Sequence, residues 1–411
     1  MWRRCLVVVC IVVSGSLAIA VHSARAAGAE APGYLNPALV QVGQVPGQII
    51  EVSGARILYL DSSASRVMLK VLDRATQQTV TVPAVPGHDP EYGWLVPGGV
   101  IFRVSGGDAT TVRLYEWCGG SPVNDLGPLN SRYSVVVRAP YVIWSDGSTL
   151  YRRDLASGRT VVVATDAGNW YNDLLPTGEV TYWDNSYRIM RYYEGKTEQV
   201  SPGTPGLWNV YPITDGTNVV YRRQTPCCGD QDYSIILNHG TRETTLTSPS
   251  SYEPSSGTDY EVAGGWTAFQ QTSSTGDLQT WLRDPGGTIT QLPDIAPSGS
   301  PGIVAMNAAG QVVYSSGENL YLGQTGQPAA LLASGQGAWL THRFASIGNF
   351  ATYLGHRWYL AVGGSLYILS HRPWQTSTSA SRATAQHQSP HTRQAAAAHA
   401  RSALHQAPSS T

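Results

Sequence analysis

The 411-residue sequence predicts an all-β fold: a β-propeller of about eight four-stranded blades, with seven as the alternative count, closed by a strand from the N-terminal side. Three observations predict it. A short strand ending in an aromatic residue recurs along the chain, each copy is followed by further short strands that break at glycine, and no stretch sustains a 3.6-residue apolar period between helix caps.

The chain opens on Arg3 and Arg4 ahead of an apolar run, Cys5 to Val13, which resumes from Leu17 to Val21 after Ser14, Gly15 and Ser16. Ala24-Arg25-Ala26 then puts small residues at the two positions that a signal peptidase inspects. This order predicts a signal peptide over residues 1–26 and a location outside the cytoplasm, secreted or in the cell envelope. A membrane anchor is the competing reading, but the apolar run is interrupted and ends at His22, short of the ~20 residues a span requires. No membrane span is therefore expected after cleavage. Cys10 follows Val7-Val8-Val9 rather than a small residue, which argues against a lipid anchor.

The body, residues 31–374, carries the repeat. Its aromatic anchors are Tyr59, Phe102, Trp144, Tyr182, Tyr221, Phe269, Tyr314 and Tyr353, separated by 38 to 48 residues. That interval fits one four-stranded blade. In seven copies a glycine stands a few residues ahead of the anchor, as in Gly178-Glu179-Val180-Thr181-Tyr182; the copy at Tyr141-Val142-Ile143-Trp144 lacks it. After the anchor come alternating strands and glycine turns, such as Leu320-Tyr321-Leu322, Gly326 and Ala329 to Leu332. Short strands in this number must close or stack, and radial repetition lets each blade cover its neighbour. The last copy has Ser365 to Leu369 and nothing further to pair with it, so Leu39 to Val42 or Ile49 to Val52 is expected to close the ring.

One copy reads Leu150-Tyr151-Arg152-Arg153-Asp154-Leu155-Ala156-Ser157-Gly158. It resembles the "Leu-Tyr-x-x-Asp-Leu-x-x-Gly" strand and turn of the TolB-type bacterial propellers. The Ser-Pro-Asp-Gly turn of that family is absent, its nearest forms being Leu175-Pro176-Thr177-Gly178 and Ile213-Thr214-Asp215-Gly216. The resemblance implies the fold and an envelope location and transfers no activity, since related propellers serve as scaffolds, lyases and peptidase-gating domains.

A net charge of −1, with Lys70 and Lys196 as the lysines, offers no basic run for phosphate binding, so nucleic acid is not an expected partner. Residues 376–411 turn to Ser, Thr, Ala, Gln and His without Asp or Glu and are expected to form a disordered tail. The tail is mildly cationic through Arg382, Arg393 and Arg401; a solvated tail or a tether to an anionic wall both fit. Body histidines stand in different repeats without ligand spacing, and no calcium loop or phosphate loop is found, so no metal or cofactor is expected.

Candidate binding residues are aromatic. Trp170, Trp208 and Trp339 occupy a similar slot, 12 to 14 residues ahead of their anchors, and Tyr171 and Tyr211 stand beside the first two. Rings in that slot can stack on sugars at one end of the ring or pack one blade on the next. Cys227-Cys228 is read as a vicinal disulfide, or else as a reduced or intermolecular pair, with Cys118 as a buried thiol. Asp166 and Asp173 flank Trp170, and Asp230 and Asp232 follow the cysteines; each pair is either a set of turn aspartates or an acid and base. The loop Ser248 to Gly257 is the expected insertion. The expected function is that of a non-catalytic binding scaffold for an envelope protein or glycan. The alternative is a carbohydrate-active enzyme, a polysaccharide lyase or glycoside hydrolase with its site in the propeller funnel, and oligomeric state is left open.

Overall fold

The structure is a computed structural model that describes residues 33–105, 112–131, 133–168, 170–203, 205–226, 233–247, 260–272, 277–293, 301–316, 318–336, 339 and 348–370. The expected signal peptide, tail, Cys227-Cys228 pair, Asp230, Asp232 and insertion loop 248–257 lie outside those residues.

The described chain forms eight antiparallel four-stranded sheets in sequence order. Seven of them are meanders over 48–81, 89–129, 135–164, 173–199, 208–245, 260–291 and 301–333, here blades 1 to 7. Blade 8 takes Phe350–Leu354, Arg357–Val362 and Ser365–Leu369, and its outermost strand is Leu39–Gln44 from the N-terminal side. The first strand of a blade touches the first strand of the next, as Val135–Arg138, Asp173–Leu174, Trp208–Thr214 and Tyr260–Ala263 do in turn. First strands therefore surround the axis and fourth strands form the rim.

The sequence motif has a physical reason at each part. Gly178 has φ +85° and Gly216 φ +92°, a left-handed turn between first and second strands that a side chain resists. The aromatic anchor follows in the second strand, where burial is greatest: Tyr59, Phe102, Trp144, Tyr182, Tyr221, Phe269 and Tyr314 are all buried. Each contributes about 1.5–3 kcal/mol by leaving water. In blades 2, 3 and 7 the anchor stacks on its cross-strand partner in the third strand, Phe102 on Tyr115, Trp144 on Tyr151 and Tyr314 on Tyr321. The turn after Leu150-Tyr151 is an aspartate turn: Asp154 accepts from the Ala156 and Ser157 amides, and Gly158 closes it at φ +71°.

Blade 8 departs from the expected register. Tyr353 lies in its first strand, Phe350–Leu354, and the second strand is Arg357–Val362. The pattern misleads because this copy carries aromatic residues in both strands, with Tyr353 and Trp358 as cross-strand partners 5.1 Å apart. The expected closure stands, made by Leu39–Gln44 against Ser365–Leu369, whereas Ile49 and Ile50 belong to the first strand of blade 1.

Candidate functional site

In an antiparallel meander, the segment leading into the first strand and the turn between the second and third strands open at the same end of the blade. On blades 3 to 5 that end collects aromatic rings. Tyr133 and Tyr171 precede the first strands of blades 3 and 4, Tyr211 sits in the bulge within the first strand of blade 5, Trp183 ends the second strand of blade 4 and Tyr187 stands in the turn after it.

The rings form one continuous array. Tyr133 stacks on Tyr171 at 5.5 Å, Tyr171 meets Tyr211 edge-on at 4.8 Å, and Tyr211 meets Trp183 edge-on at 6.4 Å. Trp183 then stacks on Tyr187 at 5.6 Å and Tyr187 on Trp208 at 4.3 Å. All six are half-buried, a state between core and surface that leaves ring area for a ligand. Trp170 completes the set: its ring is 46% exposed while its carbonyl accepts the Trp183 indole N–H at 2.9 Å.

Local sequence explains how the array is held. Asp184 is buried and accepts from the amides of Ser186 and Arg188, both at 2.9 Å, while pairing with the Arg188 guanidinium. This tight turn throws Tyr187 into the left-handed region at φ +57°. Tyr171 at φ +56° and Tyr211 at φ +57° share that conformation, which an aromatic residue adopts only when its surroundings compel it. The Tyr211 distortion coincides with a β-bulge between Val210 and Ile213 in the first strand of blade 5. Behind the rings, Asn209 donates its amide N–H to the Tyr187 carbonyl at 3.1 Å and accepts Arg223 Nε at 2.9 Å. Arg223 in turn pairs with Glu243, which also takes the Tyr221 hydroxyl. Gly168 is a packing necessity, because a Cβ there would lie 2.1 Å from the Trp183 ring.

Two polar features give the site its chemistry. Burial, with Tyr133 and Tyr211 adding to it, pushes the Tyr171 hydroxyl up to about 12, so it remains a neutral phenol at any physiological pH. Asn172, next to it, is 7% exposed; its Nδ2 donates to the Gly168 carbonyl at 3.1 Å, and its Oδ1 has no hydrogen-bond partner among the described residues. A buried acceptor without a partner costs about 1–3 kcal/mol.

Trp170, Tyr171, Trp208 and Tyr211 are thus brought together, while Trp339 is placed elsewhere. It is 6% exposed between blades 7 and 8, packed in an apolar cluster with its indole N–H on the Glu318 carbonyl. Sequence reasoning missed Tyr133, Trp183 and Tyr187. Tyr133 stands 11 residues ahead of its anchor, as Tyr171 does, and that shared slot was the available signal. Of the flanking aspartates, Asp173 is buried with Oδ2 accepting the Thr214 amide at 2.8 Å across to blade 5, and Asp166 is exposed. Cys118, expected buried, is exposed, because it ends the second-blade strand Val112–Cys118 where that strand runs out into a turn. Among the described residues, no cluster of three or more His, Cys, Asp or Glu has metal-binding geometry.

Solved structures of similar fold include dipeptidyl peptidase 4 of Porphyromonas gingivalis, 11% identical with a TM-score of 0.52. That match covers 78% of this chain and 56% of the peptidase, so the chain spans about half of it. The shared fold is the β-propeller. An oligogalacturonate lyase in complex with manganese matches at 12% identity and TM-score 0.40, over 72% of this chain and 89% of the lyase. The Dos1 propeller matches at 8% identity and TM-score 0.48, over 80% and 93%. No protein-family model and no curated protein matches the chain. At these identities the propeller fold is what is shared, and no activity passes with it.

Proposed function

We propose that this propeller is an exported, non-catalytic binding scaffold that holds an envelope glycan on the aromatic end of blades 3 to 5. The observation that carries the reading is the continuous array from Tyr133 to Trp208, half-exposed and tied at the Tyr187 carbonyl by Asn209. Pyranose rings present C–H faces that pack on aromatic faces, and the exposed Trp170 with the half-buried rings beside it offers such faces. Pre-set rings lose little conformational freedom on binding, which favours affinity. Export rests on Arg3, Arg4, the apolar run and Ala24-Arg25-Ala26, and assignment to the TolB-type propellers rests on the Leu150 to Gly158 segment.

The competing reading is a carbohydrate-active enzyme using carboxylates near Trp170 or Trp208 around the central funnel. Asp173 speaks against a free acid there, since its carboxylate is buried and already accepts the Thr214 amide. The test is incubation of the full chain with an array of bacterial wall and capsular oligosaccharides, followed by mass analysis of the recovered sugar. The proposal expects retention of at least one glycan returned unchanged. New reducing or unsaturated ends would replace it with the enzyme reading, and retention of no glycan would end it.

A further inference from the structure

Blades 2 and 3 are separated near the rim by a cleft of about 420 Å³, distinct from the aromatic array and lined by groups of a different kind. Its walls are Tyr151, stacked at 5.3 Å on the buried Trp144, and the rim strand Asn124–Leu129. Two β-bulges open it. The rim strand of blade 2 shifts register opposite Leu114 and Tyr115, with Gly127 at φ +123°, and that of blade 3 shifts opposite Leu150 and Tyr151. Bulges re-aim side chains and part neighbouring strands, and they recur beside binding sites.

The polar groups are fixed. Arg153 reaches from blade 3 to blade 2, with Nε at 3.1 Å and Nη2 at 2.9 Å from Glu116 Oε2, and the Asn124 amide donates to the same oxygen at 3.3 Å. Arg113 holds Asp125 at 2.7 Å. With those pairs neutralised, Asp146 in the lining has no ion-pair partner among the described residues and leaves the cleft one negative charge in excess. An anionic ligand would be repelled there. Hydroxyl groups would find acceptors in Asp146, Asp125 and Asn124 Oδ1, around an aromatic wall that suits the apolar face of a ring.

We propose that this cleft is a second, independent saccharide site, taking a single neutral sugar residue on Tyr151 with its hydroxyls donated to Asp146 and Asp125. Two sites on one rigid ring would raise the avidity for a polymer that spans both. The test is saturation-transfer NMR on the full chain with glucose, galactose and N-acetylglucosamine as probes and choline as a cationic control. The expected result is transfer to at least one sugar that survives Trp208→Ala, weakens about tenfold in Asp146→Asn and vanishes in Tyr151→Ala. Asp146→Asn keeps the shape of an exposed side chain, so it reads binding even if Tyr151→Ala loosens the blade. Transfer to no sugar, transfer unaffected by Asp146→Asn, or transfer to choline in place of sugars would overturn the proposal.

Discussion

The indole of Trp208 lies 4.3 Å from the ring of Tyr187 and 14° from parallel, although the two belong to neighbouring blades. The contact joins the turn of blade 4 to the first strand of blade 5, so the array is part of the blade interface as well as a surface. A double-mutant cycle with Tyr187→Ala and Trp208→Ala is expected to return a coupling of about 1 kcal/mol in urea unfolding. A coupling near zero would mean that the stack is incidental.

Gly168→Ala should disturb the site while leaving every aromatic residue of the array in the sequence. Its Cβ would sit 2.1 to 2.4 Å from Trp183, and the neighbouring backbone, held by Gly168 N–H on the Trp183 carbonyl at 2.6 Å, has little room to retreat. Overpacking of this kind costs about 1–3 kcal/mol. Chemical unfolding checks the cost, and near-ultraviolet circular dichroism should report altered tryptophan packing.

Asp61 gives a pH dependence. The Lys70 ammonium at 2.7 Å and the Ser63 hydroxyl and amide hold its carboxyl at about 2, below its ordinary value of 3.8. A carboxyl whose value is lower folded than unfolded stabilises the protein above the unfolded value, and that stability is lost as pH falls from about 4 through 2. Unfolding midpoints measured from pH 5 to pH 2 should fall less steeply in Asp61→Asn than in the wild type.

Ring closure depends on Asn36. Its side chain donates to the Leu331 carbonyl at 2.8 Å and accepts the Ala38 amide at 2.9 Å, just before the strand that completes blade 8. Asn36→Ala would leave the buried Ala38 amide and the half-buried Leu331 carbonyl without this partner, at about 1–3 kcal/mol, read as an earlier midpoint in denaturant.

Much of the architecture was legible because burial selects for it locally. Seven anchors fall in second strands, where an aromatic side chain is buried against a neighbouring blade, and glycine marks left-handed turns that other residues avoid. Tyr353 broke the pattern because blade 8 repeats the aromatic in two adjacent strands, and no local feature tells a first strand from a second. The site was half legible. The slot of Trp170 and Trp208, with Tyr171 and Tyr211 beside them, marked residues that the structure brings together, but the same slot produced Trp339, whose ring is buried, since exposure is decided by what the next blade brings. Trp183 and Tyr187 lay beyond that reasoning: their place in the array follows from the Asp184 turn and a left-handed tyrosine, neither of which a repeat pattern encodes. Cys118 was misjudged because strand ends reach solvent even when strand centres do not.

The glycan reading meets its most direct test in a titration of tryptophan emission with soluble envelope oligosaccharides, run on the wild type, Trp208→Ala and Trp170→Ala. Trp170 is already 46% exposed, so its truncation leaves the core intact. The account predicts a saturable change in the wild type and an affinity weaker by about tenfold or more in each variant. Equal affinities in all three proteins, or no saturable change with any glycan, would contradict it.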